Sequence, residues 1–106
     1  MTPWEMFAIF PEKNKSDVKE LFMWNEELSE RSMLDLSLGE RKKVELMCAF
    51  MSNRNLYMDE PENALDNENR ELFLRAIKNY SYKIVIATNS DIYNELQREE
   101  INVNYA

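Results

Sequence analysis

"NLYMDEPENALD" at residues 55–66 and "KIVIAT" at residues 83–88 decide the fold of this chain. Each contains a short apolar run that ends in polar residues, which is the pattern of a buried β-strand. Continuous apolar runs suit strands that are covered on both faces, so we predict a parallel sheet with helices packed outside it. Ligands of such sheets bind at the carboxyl ends of the strands. The polar residues at these two ends are Asp59, Glu60, Thr88 and Asn89.

Three helix signals precede the first strand. A capping box with proline in the first turn, at residues 2–5, predicts a short helix at the start of the chain. Residues 11–15, "PEKNK", are predicted to form a polar connector, after which Ser16 caps a second helix. Ser37 and Glu40 form another capping box, and the helix that they open turns apolar on nearly all sides toward its end.

After the first strand, helix and strand signals alternate. Asp66 is predicted to cap a helix over residues 67–80, and Ser90 a last helix that continues to about Gln97. The apolar–polar alternation over residues 101–105 predicts a short edge strand. A helical first part followed by alternating strands and helices is typical of half of a doubly wound α/β domain.

Composition excludes several classes of function. The 106 residues carry 13 basic and 20 acidic side chains and a net charge of -7, which argues against nucleic-acid binding through a broad basic face. Histidine is absent, so Ser-His and Cys-His nucleophile pairs and zinc sites of the H-E-x-x-H type are excluded. The single cysteine, Cys48, allows no internal disulfide, and we expect a buried thiol in a reducing compartment.

Gly39 is the only glycine in the chain. The P-loop and the dinucleotide fingerprint each need at least two glycines, so this chain by itself builds neither phosphate-binding loop. No apolar run approaches the ~20 residues of a membrane-spanning helix. We therefore expect a cytoplasmic protein.

Two places carry candidate chemistry. Asp59 and Glu60 directly follow an apolar strand, where one carboxylate can hold Mg²⁺ and the other can orient a water molecule; an ordinary acidic loop has the same pattern. Ser37, Gly39 and Glu40 begin a helix whose free N–H groups can face an anion, although Ser37 and Glu40 can equally serve only as a cap.

The order and spacing of four motifs resemble the C-terminal half of an ATP-binding cassette (ABC) ATPase domain, which belongs to the P-loop NTPases. "LSLGE" resembles the signature motif, "NLYMDE" the Walker B strand, "NALD" the D-loop and "TNSD" the switch region. The similarity extends over nearly the whole chain. It divides the chain into a helical subdomain with the signature motif at residues 1–52, and the C-terminal part of the α/β ATPase core at residues 53–106.

The resemblance implies a role for each matching residue. Nucleotide held by another protomer would be contacted by the signature residues Ser37, Leu38, Gly39 and Glu40. Asp59 would help to hold Mg²⁺, Glu60 would be the base or would position the attacking water, and Asn89 would stand at the switch position. The D-loop residues Asn63, Ala64, Leu65 and Asp66 would communicate across the dimer.

The chain departs from the family pattern at three points. The Walker A loop and the Q-loop would precede residue 1. Leu38 replaces the first glycine of the signature, and Asn89 replaces the switch histidine; asparagine can hydrogen-bond a phosphate but does not titrate near neutral pH. We therefore expect slow or absent hydrolysis, and an isolated chain that binds ATP weakly or not at all.

The resemblance also implies partners. ATP and Mg²⁺ would bind only together with a Walker A-bearing half or a second ABC ATPase subunit, and a transmembrane transporter subunit would place the chain at the inner face of the cell membrane. The Walker A strand of this family lies beside the strand that matches "KIVIAT", so we expect an open edge there and self-association through it. Two alternatives stay open: a non-catalytic regulatory module, and a fragment of a soluble ABC-type ATPase of DNA repair or phage defence.

Overall fold

The computed structural model describes residues 1–96 and 101–105, which form a three-stranded parallel sheet and four helices. The chain therefore has a mixed α/β fold. In chain order the elements are α1 (Pro3–Phe7), α2 (Glu12–Leu21), α3 (Leu38–Met51), β1 (Leu56–Asp59), α4 (Asn67–Lys78), β2 (Ile84–Thr88) and β3 (Ile101–Tyr105). Two 3-10 turns, Glu26–Leu28 and Met33–Asp35, lie between α2 and α3.

The strand order is β1-β2-β3, and both neighbours run parallel to β2. Ile84 is the register partner of Leu56 on one side and of Ile101 on the other. The predicted open edge beside "KIVIAT" is therefore wrong, because β3 of the same chain pairs along the whole of β2. The edges of the sheet are the outer sides of β1 and β3.

Only one face of the sheet is covered. Successive side chains of a strand point to opposite faces. The inner face is buried against the helices and consists of Met58, Ile84, Ile86, Thr88, Ile101 and Val103. The outer face consists of Tyr57, Asp59, Val85, Ala87, Asn102 and Asn104, all exposed or partly exposed. The prediction of strands covered on both faces is wrong, since the four helices supply a layer to the inner face alone.

Helix α2 begins earlier than predicted. Pro11 occupies its N-cap, and the Lys15 N–H donates to the Pro11 carbonyl at 3.1 Å, so residues 12–15 form the first turn of the helix and no connector. Pro11 makes no side-chain capping hydrogen bond, so α2 begins without the serine cap that the sequence predicted. The helix ends before Met23, whose φ is +49°.

The predicted helix after Ser90 is replaced by tight turns over residues 91–96. The backbone hydrogen bonds there join residues three apart, from Asn94 N–H to the Asp91 carbonyl and from Leu96 N–H to the Tyr93 carbonyl. Tyr93 is fully buried, so its side chain fixes this segment against the core. Gln97, the predicted end of the helix, lies outside the described residues.

The other predicted elements are present, although α4 ends at Lys78, two residues before its predicted end. Thr2, Ser37 and Asp66 cap α1, α3 and α4 with hydrogen bonds to backbone N–H groups, and the capping boxes at Thr2 and Ser37 are complete. One buried cluster joins the helices to the inner face of the sheet, with Phe50 of α3 in edge-to-face contact with Phe73 of α4. In the part of the chain that the structure describes, none of the helices is both long and apolar enough to traverse a bilayer.

Candidate functional site

Three of the predicted site residues meet at the carboxyl edge of the sheet. Glu60 follows β1 and Asn89 follows β2, and because these strands are parallel neighbours their carboxyl ends coincide. The Asn89 side-chain amide donates to one carboxylate oxygen of Glu60 at 3.3 Å, and the Asn63 amide donates to the other at 3.1 Å. The sequence placed these residues in three separate motifs, and the fold brings them into one hydrogen-bonded group.

The backbone of Glu60 turns sharply out of the strand. Its φ is +43°, a conformation that non-glycine residues adopt rarely. Its N–H still donates to the Ala87 carbonyl of β2 at 2.7 Å, so the sheet fixes the backbone at the point where the turn begins. The carboxylate is therefore held from its backbone by the sheet and from its oxygens by two amides.

Asp59 is the last residue of β1 and is exposed on the outer face of the sheet. No hydrogen bond or ion pair engages its carboxylate within residues 1–96 and 101–105. Mg²⁺ is commonly held by one or two carboxylates together with substrate phosphates and water, so a free carboxylate beside Glu60 fits a magnesium ion that arrives with a nucleotide. In the same ranges, no three acidic, cysteine or histidine side chains group into a metal site without such a substrate.

The start of α3 is capped as predicted. Ser37 Oγ accepts from the Glu40 N–H at 3.1 Å, and the Glu40 carboxylate accepts from the Ser37 N–H at 2.9 Å. Accepting this bond leaves the Ser37 hydroxyl hydrogen available to another acceptor. Leu38, which stands where the signature motif has its first glycine, is 66% exposed. Capping and anion contact therefore remain compatible at this helix start.

Gly39 lies against the loop that follows β1. A Cβ atom at this position would come within 2.9 Å of the Ala64 carbonyl oxygen, closer than real Cβ contacts permit. Ala64 is itself in the left-handed region, with φ at +71°. A packing contact within the chain therefore explains why residue 39 is glycine. Without a side chain, the signature-like helix start can lie directly against the D-loop-like turn.

The remaining residues of the D-loop-like turn have structural roles. Leu65 is buried in the core, and Asp66 caps α4 by accepting from the Asn69 N–H at 2.8 Å. Lys43 of α3 is partly buried nearby, and this burial lowers its pKa, while the charges of Glu68 and Asp66 act in the opposite direction. The first turns of α3 therefore lie along the loop and the start of α4.

Sequence reasoning missed a buried acidic residue in this loop. Glu62 is 5% exposed, and its two carboxylate oxygens accept from the Thr88 hydroxyl and the Tyr93 hydroxyl, both at 2.7 Å. A signal was present in "KIVIAT": a hydroxyl at the end of a buried strand needs a partner, and a carboxylate in the neighbouring strand-end loop can supply it. The pairing itself joins residues too far apart in sequence to be read locally.

Other conspicuous side chains are divided between core and surface. Cys48 was predicted to be buried and is only half-buried; burial, followed by the charge of Glu45, raises the pKa of its thiol to about 11. Trp24 packs edge-to-face on Phe7 and donates its indole N–H to the Ser29 hydroxyl at 2.9 Å. Trp4 is largely exposed.

No protein-family model matches this chain, and neither does any of the curated proteins to which it was compared. Its function therefore has to be inferred from the residues and geometry of the site.

Proposed function

We propose that this chain is the C-terminal portion of the nucleotide-binding domain of an ABC transporter, and that it acts in ATP binding and hydrolysis together with a Walker A-bearing partner. One observation carries the proposal: Glu60, Asn63 and Asn89 form one hydrogen-bonded group at the carboxyl edge of parallel strands. These residues come from the Walker B-like, D-loop-like and switch-like motifs, and a carboxylate held in place can orient the attacking water of a phosphoryl transfer.

Within this proposal, Glu60 holds the attacking water and takes up or orients its proton. The Asn63 and Asn89 amides leave the carboxylate little rotational freedom, so it is positioned before substrate arrives. Asparagine donates an amide hydrogen without titrating, so Asn89 can hold Glu60 or a phosphate oxygen but cannot shuttle a proton. Bound Mg²⁺ would neutralise phosphate charge, with Asp59 as the residue that helps to hold it.

The partner must supply the phosphate-binding loop, because a single glycine cannot build one. The bare outer face of the sheet supports an incomplete unit of this kind. Parallel sheets are almost always covered on both faces, yet Tyr57 on this face is 72% exposed. A non-catalytic interaction module is the second candidate, since the same open face suits a chain that only docks on a complete ATPase.

Ser37 offers a test of the nucleotide contact. Aspartate is as good an N-cap as serine, so Ser37→Asp should keep α3 capped and leave the urea unfolding midpoint close to that of the wild type. It also places a carboxylate where the proposal puts a phosphate, so the turnover of ATP with a Walker A-bearing partner should fall at least about tenfold.

The control is Ser37→Ala, which removes the cap and should cost about 1 kcal/mol of stability without adding charge. If Ser37→Asp supports the same phosphate release as the wild type, Ser37 does not contact the nucleotide and the trans role is wrong.

A further inference from the structure

Glu62 is a buried carboxylate for which the proposed function gives no role. A buried charge is unfavourable unless hydrogen bonds compensate it, and the two hydroxyls that contact Glu62 supply that compensation. Both oxygen–oxygen distances are 2.7 Å, within the range for hydrogen bonds from a hydroxyl to a carboxylate. One side chain thereby ties the loop after β1 to the end of β2 and to the turn beyond it.

The direction of these hydrogen bonds is fixed. Thr88 Oγ1 accepts from the Ser90 N–H at 3.0 Å, so its own hydrogen is directed to Glu62. Burial and the hydrogen bond to Glu62 raise the pKa of Tyr93, opposed by the positive charge of Arg70, so the phenol stays protonated and donates. Glu62 therefore accepts from both hydroxyls.

The buried hydrogen bonds of Glu62 lie next to the exposed hydrogen bond between Asn89 and Glu60. Glu62 is two residues after Glu60, and Thr88 is one residue before Asn89. Tyr93 holds the far end of the turn that carries Asn89. The Asn89–Glu60 contact is 3.3 Å long, near the limit for a hydrogen bond, so a small shift of either loop would break it.

We propose that Glu62 is a positioning residue: by holding Thr88 and Tyr93 it sets the two loops so that the Asn89 amide reaches Glu60. Its importance for turnover rests on the proposed function, whereas its effect on the Asn89–Glu60 contact does not. Asn63 reaches Glu60 within a local turn, in which the Asn63 N–H donates to the Glu60 carbonyl at 3.1 Å, so its contact does not pass through the bonds of Glu62 to Thr88 and Tyr93.

This difference between Asn89 and Asn63 provides the test. In the isolated ¹⁵N-labelled chain, Glu60→Gln removes the charge that both amides face, so the side-chain amide resonances of Asn63 and Asn89 should both shift. With Thr88→Val, which removes the hydroxyl at nearly constant volume, the Asn89 resonance should no longer respond to Glu60→Gln while the Asn63 resonance still does. Thr88→Ser keeps the hydroxyl and should restore the Asn89 response.

Glu62→Leu should act like Thr88→Val; where it prevents folding, Tyr93→Phe decides, because it removes the other hydroxyl that Glu62 holds and leaves the contact between Thr88 Oγ1 and the Ser90 N–H in place. If a variant unfolds, neither the Asn63 nor the Asn89 amide will respond to Glu60→Gln, and the backbone amide resonances will lose their dispersion. Unfolding can therefore be distinguished from a specific loss of the Asn89 response. A folded Thr88→Val chain whose Asn89 amide responds to Glu60→Gln as in the wild type would overturn the proposal, and so would a wild-type Asn89 amide that does not respond. No nucleotide or partner is present, so failure of the proposed ATPase function leaves this result unaffected.

Discussion

Gly39 illustrates at the scale of one residue how a motif and a packing requirement coincide. The signature resemblance assigns it a phosphate held by another chain, while the fold places it against the Ala64 carbonyl oxygen. The two roles are compatible, because the contact fixes the helix start relative to the loop of Glu60. The sequence resemblance implied only a nucleotide contact for Gly39, and the fold alone identifies the Ala64 carbonyl as the backbone atom beside it.

Replacing Gly39 by alanine tests that contact. Alanine is normally better than glycine in a helix by about 1 kcal/mol. Here the new Cβ would meet a backbone oxygen at 2.9 Å, and displacing backbone costs about 1–3 kcal/mol. We expect Gly39→Ala to lower the free energy of unfolding by up to about 2 kcal/mol in urea titrations, because the cost of displacing backbone is partly offset by the better helix propensity of alanine.

Leu38→Ala is the matched control, since Leu38 is the exposed neighbour in the same helical turn and its loss should change stability by no more than about 0.5 kcal/mol. An increase in stability on Gly39→Ala would mean that the Ala64 contact does not exist.

Cys48 yields a second prediction at this scale. Its thiol pKa is raised from 9.0 to about 11 by burial and by Glu45. Because the thiolate is the reactive form, the folded chain at pH 8 should react with Ellman's reagent about 100-fold more slowly than the urea-unfolded chain. Equal rates in the two states would contradict a partly buried, protonated thiol.

At the scale of elements, the turn after β2 depends on side chains distant in sequence. Its predicted helix was wrong because the buried Tyr93 and its bond to Glu62 hold residues 91–96 in tight turns. The three caps and the strands were predictable, because each depends on residues only a few positions apart. Three other features depend on which elements pack together, and local sequence patterns do not encode that. They are the covering of only one sheet face, the central position of β2, and the hydrogen bonds of Glu62.

The Tyr93 hydroxyl predicts a loss of stability at high pH. Its pKa is raised in the folded chain, chiefly by burial, whereas an unfolded tyrosine titrates near 10. Below about pH 10 both states keep the proton; above it only the unfolded state loses the proton, so stability falls by up to ~1.4 kcal/mol per pH unit.

This slope should be measured by urea unfolding between pH 8 and 11 in a Cys48→Ala background, which removes the alkaline contribution of the raised thiol pKa. Adding Tyr93→Phe should flatten the slope above pH 10 and lower stability at neutral pH, because Glu62 loses one donor. If Tyr93→Phe leaves the fall in unfolding free energy above pH 10 unchanged, the folded state does not raise the pKa of the Tyr93 phenol.

At the scale of the whole molecule, the described residues form a mixed α/β fold with one layer of helices and a three-stranded parallel sheet. Its helices bury one face of a parallel sheet, and the outer face and the candidate site at the carboxyl edge are accessible to another chain. The two apolar runs correctly predicted the α/β class. Two other predictions were wrong: the second face of the sheet is not covered in the described residues, and β2 has no open edge because β3 pairs with it. The accessible candidate site and the single glycine are consistent with the proposed shared catalysis.

The most direct test of shared catalysis is ATP turnover by a Walker A-bearing ATPase half, measured as phosphate release with and without this chain. We predict that the chain stimulates turnover and that Glu60→Gln, which keeps the shape of the side chain but removes its negative charge, abolishes the stimulation. Asn102→Asp on the outer face, which adds a charge away from Glu60, serves as the control for the effect of altered charge. Stimulation that persists with Glu60→Gln would contradict shared catalysis and favour a regulatory module.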